Sequence, residues 1–300
     1  MKELVPYLED KKVSEITIPY SGEIVITKFG EGRIFSGKVL PPVIIKRIIL
    51  AAAAVAGVKV DTQNPVPKLE GLIPHYNARI TGYLPPASDR PMLSIRRPSD
   101  IIRTLEEYVA DGQMTSDKYE IVVKYIKERK NIIISGSTGS GKTTFTNAVI
   151  HKMEEFTPDD NFYIVEDVPE LQCNAKMRIP LCTTKEWTHV LVEGALRFFP
   201  DRIIFGEVRN GQIMSSLLEA WNTGHSGNVT TIHANNCLST IQRIKGLLKS
   251  VNNEMDNLSE VIHLIVHLKR TSKGIRVDEV MPVQEDTDDF LSLIEKNNLG

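Results

Sequence analysis

The segment that most constrains the fold is a glycine-rich loop between an apolar run and a helical pattern. Residues 131–144 read NIIISGSTGSGKTT, and residues 136–143 match G-x-x-x-x-G-K-[ST]. Glycines at 136, 139 and 141 let the backbone turn so that its N–H groups converge on one point, where a side chain would obstruct an anion. The apolar run before the loop and the helix after it supply the context that this motif requires. The sequence therefore predicts a strand–loop–helix unit that cradles the phosphates of a nucleotide.

The same segment predicts the groups that contact the nucleotide, ATP or ADP, and Mg²⁺. Lys142 is expected to reach the β- and γ-phosphates as a point charge, and the Thr143 hydroxyl is expected to bind the metal. The predicted nucleotide-binding residues of the loop are Gly136, Ser137, Thr138, Gly139, Ser140, Gly141, Lys142, Thr143 and Thr144.

Short apolar runs recur after residue 116 and predict a parallel sheet. The runs FYIVED, DRIIFGE and NVTTIHA alternate with helical patterns, and strands that are apolar throughout are covered on both faces. Two later runs, HLIVHLKR and IRVDEVMPV, predict an antiparallel addition to that sheet. The fold class is therefore α/β. The acidic tail that follows has no assigned structure.

The first hundred residues predict a smaller α+β domain. Alternation in SEITIPYSGEIVITKF predicts a hairpin with its turn at Ser21-Gly22, and an Ala-rich helix is expected over residues 43–55. Further strands are expected in NARITGYL and MLSIRRP. A short helix is expected from Ile101 to its end at Asp111-Gly112, and a second helix over residues 117–128. We expect an amino-terminal domain over residues 1–104, a linker over 105–117 and the nucleotide-binding domain over 118–300.

Composition and net charge limit the binding partners and the cellular compartment that we expect for this chain. A net charge of −2 and a pI of 6.4 give no bulk attraction to a polyanion, so direct nucleic-acid binding is not expected. Three cysteines without a C-x-x-C pair read as reduced thiols, which favours the cytoplasm. No stretch approaches the roughly 20 apolar residues of a membrane span, so any membrane contact is expected to be peripheral.

Acidic residues follow two of the predicted strands. Glu166 and Asp167 come directly after FYIV, with Glu170 soon after, and Glu207 follows RIIFG. The carboxyl ends of parallel strands face the ligand, and phosphoryl transfer needs one group near Mg²⁺ and another that orients the attacking water. Many P-loop enzymes carry Asp directly before the second acid, where this chain has Gly206. We favour Glu207 acting on Mg²⁺ through water and Glu166 polarising the nucleophile, with the reverse assignment open.

Four segments occur in a fixed order over residues 131–236: GSTGSGKTT, IVEDVPELQC, ALRFFPDRIIFGEVRNGQ and AWNTGHSGNVTTIHANN. They resemble the Walker A, Asp, Walker B and His boxes of the type II/type IV secretion traffic ATPases. The sequence of the last segment is similar to that of conjugal-transfer members of this family. Upstream, VSEITIPYSGEIVITKFGEGR and ARITGYLPPASDRPMLSIRRPSD look like that family's amino-terminal domain. The resemblance covers most of the chain.

The resemblance implies a RecA-like P-loop ATPase domain preceded by a smaller PAS-like α+β domain. It also implies a homohexamer, peripheral on the cytoplasmic face of the inner membrane, that works with other components of a secretion system. ATP hydrolysis to ADP and phosphate would then drive domain motions for substrate transfer or pilus assembly.

Arginines and histidines complete the predicted site. Charge that develops on the γ-phosphate is commonly stabilised by an inserted arginine, for which Arg209 is the candidate after the second acidic strand. By resemblance, Arg79, Arg96 and Arg97 lie on a nucleotide-facing surface, although Arg96 and Arg97 point to opposite faces of a strand. The resemblance also places two histidines as sensors of the nucleotide or of the neighbouring subunit. The predicted catalytic residues are Lys142, Glu166, Glu207, Arg209 and His233, with His225 as a nucleotide contact.

Three other functions stay open from the sequence. A type IV pilus or type II secretion motor belongs to the same superfamily. A RecA-like motor acting directly on nucleic acid needs a stacking platform or a basic stripe, and aromatic residues make up only 6% of this chain. The third is a nucleotide-controlled assembly scaffold.

Overall fold

The computed structural model describes residues 2–28, 31–64, 66–97, 102–182, 187–253, 255, 257–271 and 274–284. The chain divides into two units, Met1–Ile101 and Ile102–Gly300. Residues 105–117, which we expected as a linker, lie in the second unit, where Leu105 and Tyr108 are buried in its core. The acidic tail lies outside the described residues.

The first unit is an antiparallel sheet with helices packed on it. Its six strands lie in the order β3-β2-β1-β6-β5-β4. The strands are β1 (Val13–Ile18), β2 (Glu23–Lys28), β3 (Gly32–Val39), β4 (Lys68–Ile73), β5 (Ala78–Tyr83) and β6 (Met92–Arg96), and the helices are α1 (Val5–Glu9) and α2 (Pro42–Val55). One face of α2 packs into the core through Ile45, Ile48, Ile49, Ala52 and Ala53.

The local predictions for this unit are confirmed. Strands β1 and β2 pair antiparallel as the expected hairpin, and Gly22 in the turn has φ +81°. A methyl group on Gly22 would lie 2.7 Å from the Leu40 carbonyl oxygen, so the turn requires glycine for space as well as for backbone conformation. The expected helix over residues 43–55 is α2, and the two later strands are β5 and β6.

The second unit contains a seven-stranded sheet in the order β13-β12-β7-β11-β10-β8-β9. All neighbouring strands are parallel except β12 and β13, which form the predicted antiparallel addition. The strands are β7 (Ile132–Gly136), β8 (Phe162–Glu166), β9 (Arg178–Cys182), β10 (Arg202–Val208), β11 (Val229–Ile232), β12 (Leu264–Thr271) and β13 (Gly274–Pro282). The helices are α3 (Leu105–Ala110), α4 (Ser116–Lys127), α5 (Lys142–Phe156), α6 (Thr188–Gly194), α7 (Gly211–Asn222) and α8 (Cys237–Lys249).

The central strands are buried on both faces, which explains their unbroken apolar runs. In β7, Ile133 packs into one core cluster, while Ile132 and Ile134 pack into another on the opposite face. Because these strands are parallel, their carboxyl ends meet at one edge of the sheet, where the glycine-rich loop begins. The parallel-sheet prediction is therefore confirmed.

Helix α3 begins at Leu105, later than the predicted start at Ile101, and its last residue, Ala110, comes directly before the predicted end at Asp111-Gly112. The side-chain oxygen of Thr104 accepts from the Glu107 N–H at 3.2 Å, and the Glu107 carboxylate accepts from the Thr104 N–H at 2.7 Å. This capping box sets the start of the helix at Leu105, and Gly112 with φ +67° follows its end.

Candidate functional site

The glycine-rich loop connects β7 to α5 through three glycines with positive φ. Gly136, Gly139 and Gly141 have φ of +155°, +73° and +83°. A methyl group on Gly136 would lie 2.6 Å from the Leu268 carbonyl oxygen, and one on Gly141 would lie 2.8 Å from Ile275 Cδ1. The loop can therefore follow this path only with glycine at these positions.

Alanine at position 136 is expected to prevent nucleotide binding, since its methyl group would also meet the Ser140 hydroxyl at 2.4 Å and displace the loop. Gly246 offers a matched control, because its Cβ would point into open space on α8, where alanine favours the helix by roughly 1 kcal/mol. Calorimetric titration with ADP should show no binding by Gly136→Ala and unchanged binding by Gly246→Ala. Wild-type affinity in Gly136→Ala would contradict the described loop geometry.

Lys142 is buried at the start of α5 and is held by the loop itself. Its Nζ donates to the carbonyl oxygens of Gly136 at 3.0 Å and Ser137 at 3.1 Å. The same Nζ lies 3.2 Å from Nδ1 of His233, the residue that follows β11. The Lys142 ammonium group therefore lies against the backbone of the loop, next to a histidine that follows a neighbouring strand.

Thr143 contacts the acidic segment that follows β8. Its hydroxyl donates to Glu170 Oε2 at 3.3 Å. The N–H groups of Glu170 and Leu171 donate to Glu166 Oε1 at 3.0 and 2.8 Å. Asn147, one turn further along α5, donates to the Glu170 carbonyl oxygen and accepts from the Gln172 N–H. The segment after β8 is thus fastened to α5 beside the loop.

Glu166 stands at the end of β8 with only 6% of its surface exposed. Burial raises the pKa of its carboxyl group to about 7, with further increases from the charges of Glu170 and Asp167 and a decrease from the two N–H donors. A methyl group on Gly206 would lie 3.4 Å from Glu166 Cγ. That distance is an ordinary van der Waals contact, so Gly206 lies directly beside the Glu166 side chain.

Glu207 joins several charged side chains at the end of β10. Its carboxylate lies 2.9 Å from His233 Nε2 and accepts from Arg209 Nη2 at 2.9 Å. Arg209 also pairs with Asp167 through Nη1. Burial opposes ionisation of Glu207, but the hydrogen bond from Arg209 and the charges of Arg209, His233 and Lys142 outweigh it, so the pKa of Glu207 lies below its usual range. Glu207 is therefore a carboxylate at neutral pH.

The structure brings the five predicted catalytic residues to one edge of the sheet. His233 contacts both Lys142 and Glu207, and Glu207 contacts Arg209. Glu170 links Thr143 to Glu166. His225, in contrast, precedes β11 and lies at its amino end, where its carbonyl oxygen accepts from Asn228 Nδ2 at 2.7 Å. Within this chain, His225 is not placed beside Lys142.

The three amino-terminal arginines lie in the first unit. Arg79 and Arg96 are direct cross-strand partners on β5 and β6, with Glu15 next in the row on β1. Arg97 Nη1 donates to the carbonyl oxygens of Leu8 at 2.6 Å and Asp10 at 3.0 Å. The side chain of Arg97 thus binds backbone within its own unit.

Two groups gained a role only from the structure. Glu170 contacts the Thr143 hydroxyl, and Asp167 shares Arg209 with Glu207. Both are acids that follow β8, so their type and position were visible in the sequence, but their partners on α5 and β10 were not.

The residues present fit a nucleotide and a magnesium ion. The glycines leave room for an anion in the loop, and Lys142 supplies a cation beside it. The Thr143 hydroxyl and the Glu170 carboxylate that it contacts at 3.3 Å supply oxygen atoms, the ligand type that Mg²⁺ prefers. Among the described residues, the helices are too short or too polar to cross a bilayer.

The family described as "Type II/IV secretion system protein" matches residues 11–290. The conjugal transfer protein TrbB of Rhizobium radiobacter is 36% identical over 280 residues, which cover 92% of this chain and 85% of the relative. Two solved structures share the fold: the VirB11 ATPase of Brucella suis in complex with sulphate (TM-score 0.52, 23% identity, 97% of this chain and 95% of that chain) and the pilus retraction motor PilT with bound ADP (TM-score 0.68, 18% identity, 99% and 88%).

These matches confirm the α/β fold with a RecA-like P-loop domain and an amino-terminal domain, and they confirm the resemblance carried by the four boxes. The chain belongs to the type II/IV secretion system protein family.

Proposed function

We propose that this chain hydrolyses ATP to ADP and phosphate and powers a type IV secretion apparatus of the conjugal-transfer kind. One observation carries the proposal: the glycine loop with Lys142 opens onto Glu166 and Glu207 at the same edge of a parallel sheet. This is the arrangement that phosphoryl transfer needs, with a phosphate cradle next to one ionised and one titratable carboxylate.

Glu166 is the proposed general base. A base works best when its pKa lies near the operating pH, and the buried Glu166 carboxyl has a pKa of about 7. Its hydrogen bonds from the N–H groups of Glu170 and Leu171 hold the side chain in place. Ionised Glu166 accepts the proton of the attacking water.

Glu207 is the proposed acceptor for a water ligand of Mg²⁺, and Thr143 the direct ligand. When bound, Mg²⁺ neutralises charge on the phosphate oxygens. Arg209 keeps Glu207 ionised through its hydrogen bond at 2.9 Å. His233 lies between Lys142 and Glu207, so it is positioned to respond when Lys142 leaves the loop carbonyls for a phosphate. We assign His233 as the sensor and Arg209 as the arginine that stabilises transferring charge.

The assembly proposed is a homohexamer, peripheral on the inner membrane and working with other components of the secretion system. The similarity to a conjugal transfer protein and to type IV secretion system proteins VirB11 supports the part of this proposal that concerns other secretion-system components. Arg79 and Arg96 are proposed as nucleotide contacts from the amino-terminal domain. Their pairing puts two like charges side by side, and with Glu15 opposite Arg96 the row keeps a net positive charge that suits an anion. His225, away from the cradle of its own subunit, is proposed to face a neighbouring one.

A pilus motor is the second candidate, because the PilT fold matches with a TM-score of 0.68. That match is at 18% identity, whereas the conjugal transfer protein is 36% identical over 92% of the chain. A function in conjugal transfer is therefore favoured over a pilus motor.

Light scattering with and without Mg-ATP tests the assembly. The expected result is a mass near six times the 33.6 kDa chain when nucleotide is present. A strict monomer at high protein concentration under both conditions would overturn the hexamer. Phosphate release measured on the same sample tests the ATPase activity separately.

A further inference from the structure

The antiparallel hairpin of β12 and β13 packs against the glycine loop on the side away from the acids. In the sheet order, β12 lies on one side of β7, while β11, β10 and β8 lie on the other. Ile275 of β13 contacts the loop so closely that a methyl group on Gly141 would lie 2.8 Å from its Cδ1. The hairpin therefore forms a wall of the cradle.

Arg270 extends from this wall to the apex of the loop. A methyl group on Gly139 would lie 3.5 Å from Arg270 Nη1, so the guanidinium stands beside that glycine. Arg270 pairs with Ile275 in the register of the hairpin, which places both side chains on one face of the two strands. A planar cation and a branched apolar side chain thus lie together next to the loop.

The other cations of the described hairpin are neutralised. Lys269 Nζ lies 3.7 Å from Asp278 Oδ2, and Arg276 Nη2 lies 2.5 Å from Asp278 Oδ1. Arg270 has no carboxylate partner among the residues that the structure describes, and its side chain is exposed. Its donors and its flat faces are therefore available to a ligand held in the loop.

We propose that Arg270, with Ile275, contacts the nucleoside half of the bound nucleotide. This inference rests on the proposed function. The γ-phosphate must face Glu166 and Glu207 for hydrolysis, so the opposite end of the nucleotide faces the β12–β13 side of the loop. A guanidinium stacks on aromatic rings and donates hydrogen bonds in its plane, which suits a base and ribose better than a lysine does. Arg270 then contributes to binding ADP and ATP but not to the chemical step.

Calorimetric titration with ADP and with tripolyphosphate, each with Mg²⁺, tests this assignment. Arg270→Ala is expected to weaken ADP binding about 3- to 10-fold, the size of an exposed cation–ring contact, and to leave tripolyphosphate binding unchanged. The turnover number at saturating ATP should stay within about 2-fold of wild type. Lys269→Ala, the neighbouring cation on the other face of β12, is the matched control and should bind both ligands like wild type.

Two results would overturn the inference: unchanged ADP affinity in Arg270→Ala, with or without lost turnover, or an equal loss of affinity for ADP and tripolyphosphate. Failure of the proposed function gives a different result, because wild-type protein would then bind no ADP and Lys142→Ala would not change ADP binding. If wild-type protein binds ADP, Lys142→Ala does not, and Arg270→Ala binds ADP like wild type, only the role of Arg270 is refuted.

Discussion

Replacement of Lys142 by alanine is expected to lower ATP turnover at least about 100-fold, the typical effect of removing one preorganised charge from a transition state. Its Nζ is the cation of the loop, lying 3.0 Å from the Gly136 carbonyl oxygen and 3.2 Å from His233. Alanine removes both the charge at the phosphates and the contact that links the loop to His233 and Glu207. Phosphate release by purified protein at saturating Mg-ATP measures the effect.

Two controls make the Lys142 result specific. Lys124→Ala removes an exposed lysine of α4, 4.0 Å from Glu128, and should leave turnover unchanged. Thermal unfolding without nucleotide should show that Lys142→Ala is folded. Turnover by folded Lys142→Ala within a few-fold of wild type would remove the assignment of the loop as a phosphate cradle.

Replacement of Glu166 by glutamine is expected to lower turnover about 100- to 10,000-fold, the range for loss of a general base, while ATP binding persists. The pH profile gives a second signature. The base acts when ionised, and burial raises the Glu166 pKa to about 7, so wild-type turnover should rise as pH increases through 7 and level off above it. Glu166→Gln should lose that rise.

Glu207→Gln provides the comparison. Glu207 is held ionised beside Arg209 and His233, so its loss should weaken the Mg²⁺ dependence of nucleotide binding rather than abolish the rise near pH 7. Measuring nucleotide affinity and turnover separately for both variants decides the roles. Lost hydrolysis with intact binding and no pH rise in Glu207→Gln, together with a retained rise in Glu166→Gln, would exchange the two assignments.

Much of the fold could be predicted because local signals agreed with tertiary context. The unbroken apolar run of β7 and the glycine pattern after it imply a covered strand that enters a helix, and the structure has both. The start of the short helix before α4 was harder to predict, because the Thr104–Glu107 capping box, rather than apolar spacing, sets it.

The candidate site was predictable in its residue types and less so in its contacts. Strand ends of a parallel sheet converge, so Glu166, Glu207 and His233 could be expected near Lys142. Two contacts join segments that are distant in the chain, and no local pattern encodes them. Glu170 contacts Thr143 of α5, and Arg270 of the β12–β13 hairpin lies beside Gly139, more than a hundred residues earlier. His225 shows the converse limit: it lies near His233 in sequence, yet strand β11 separates the two.

A crystal structure with Mg²⁺ and a non-hydrolysable ATP analogue would show whether the glycine loop holds the phosphates. We expect the β-phosphate inside the loop of residues 136–143, with Lys142 Nζ turned from the loop carbonyls to the phosphates. The γ-phosphate is expected to point toward Glu166 and Glu207. An empty loop at saturating nucleotide, or a nucleotide bound elsewhere with Lys142 still on the Gly136 and Ser137 carbonyls, would contradict it.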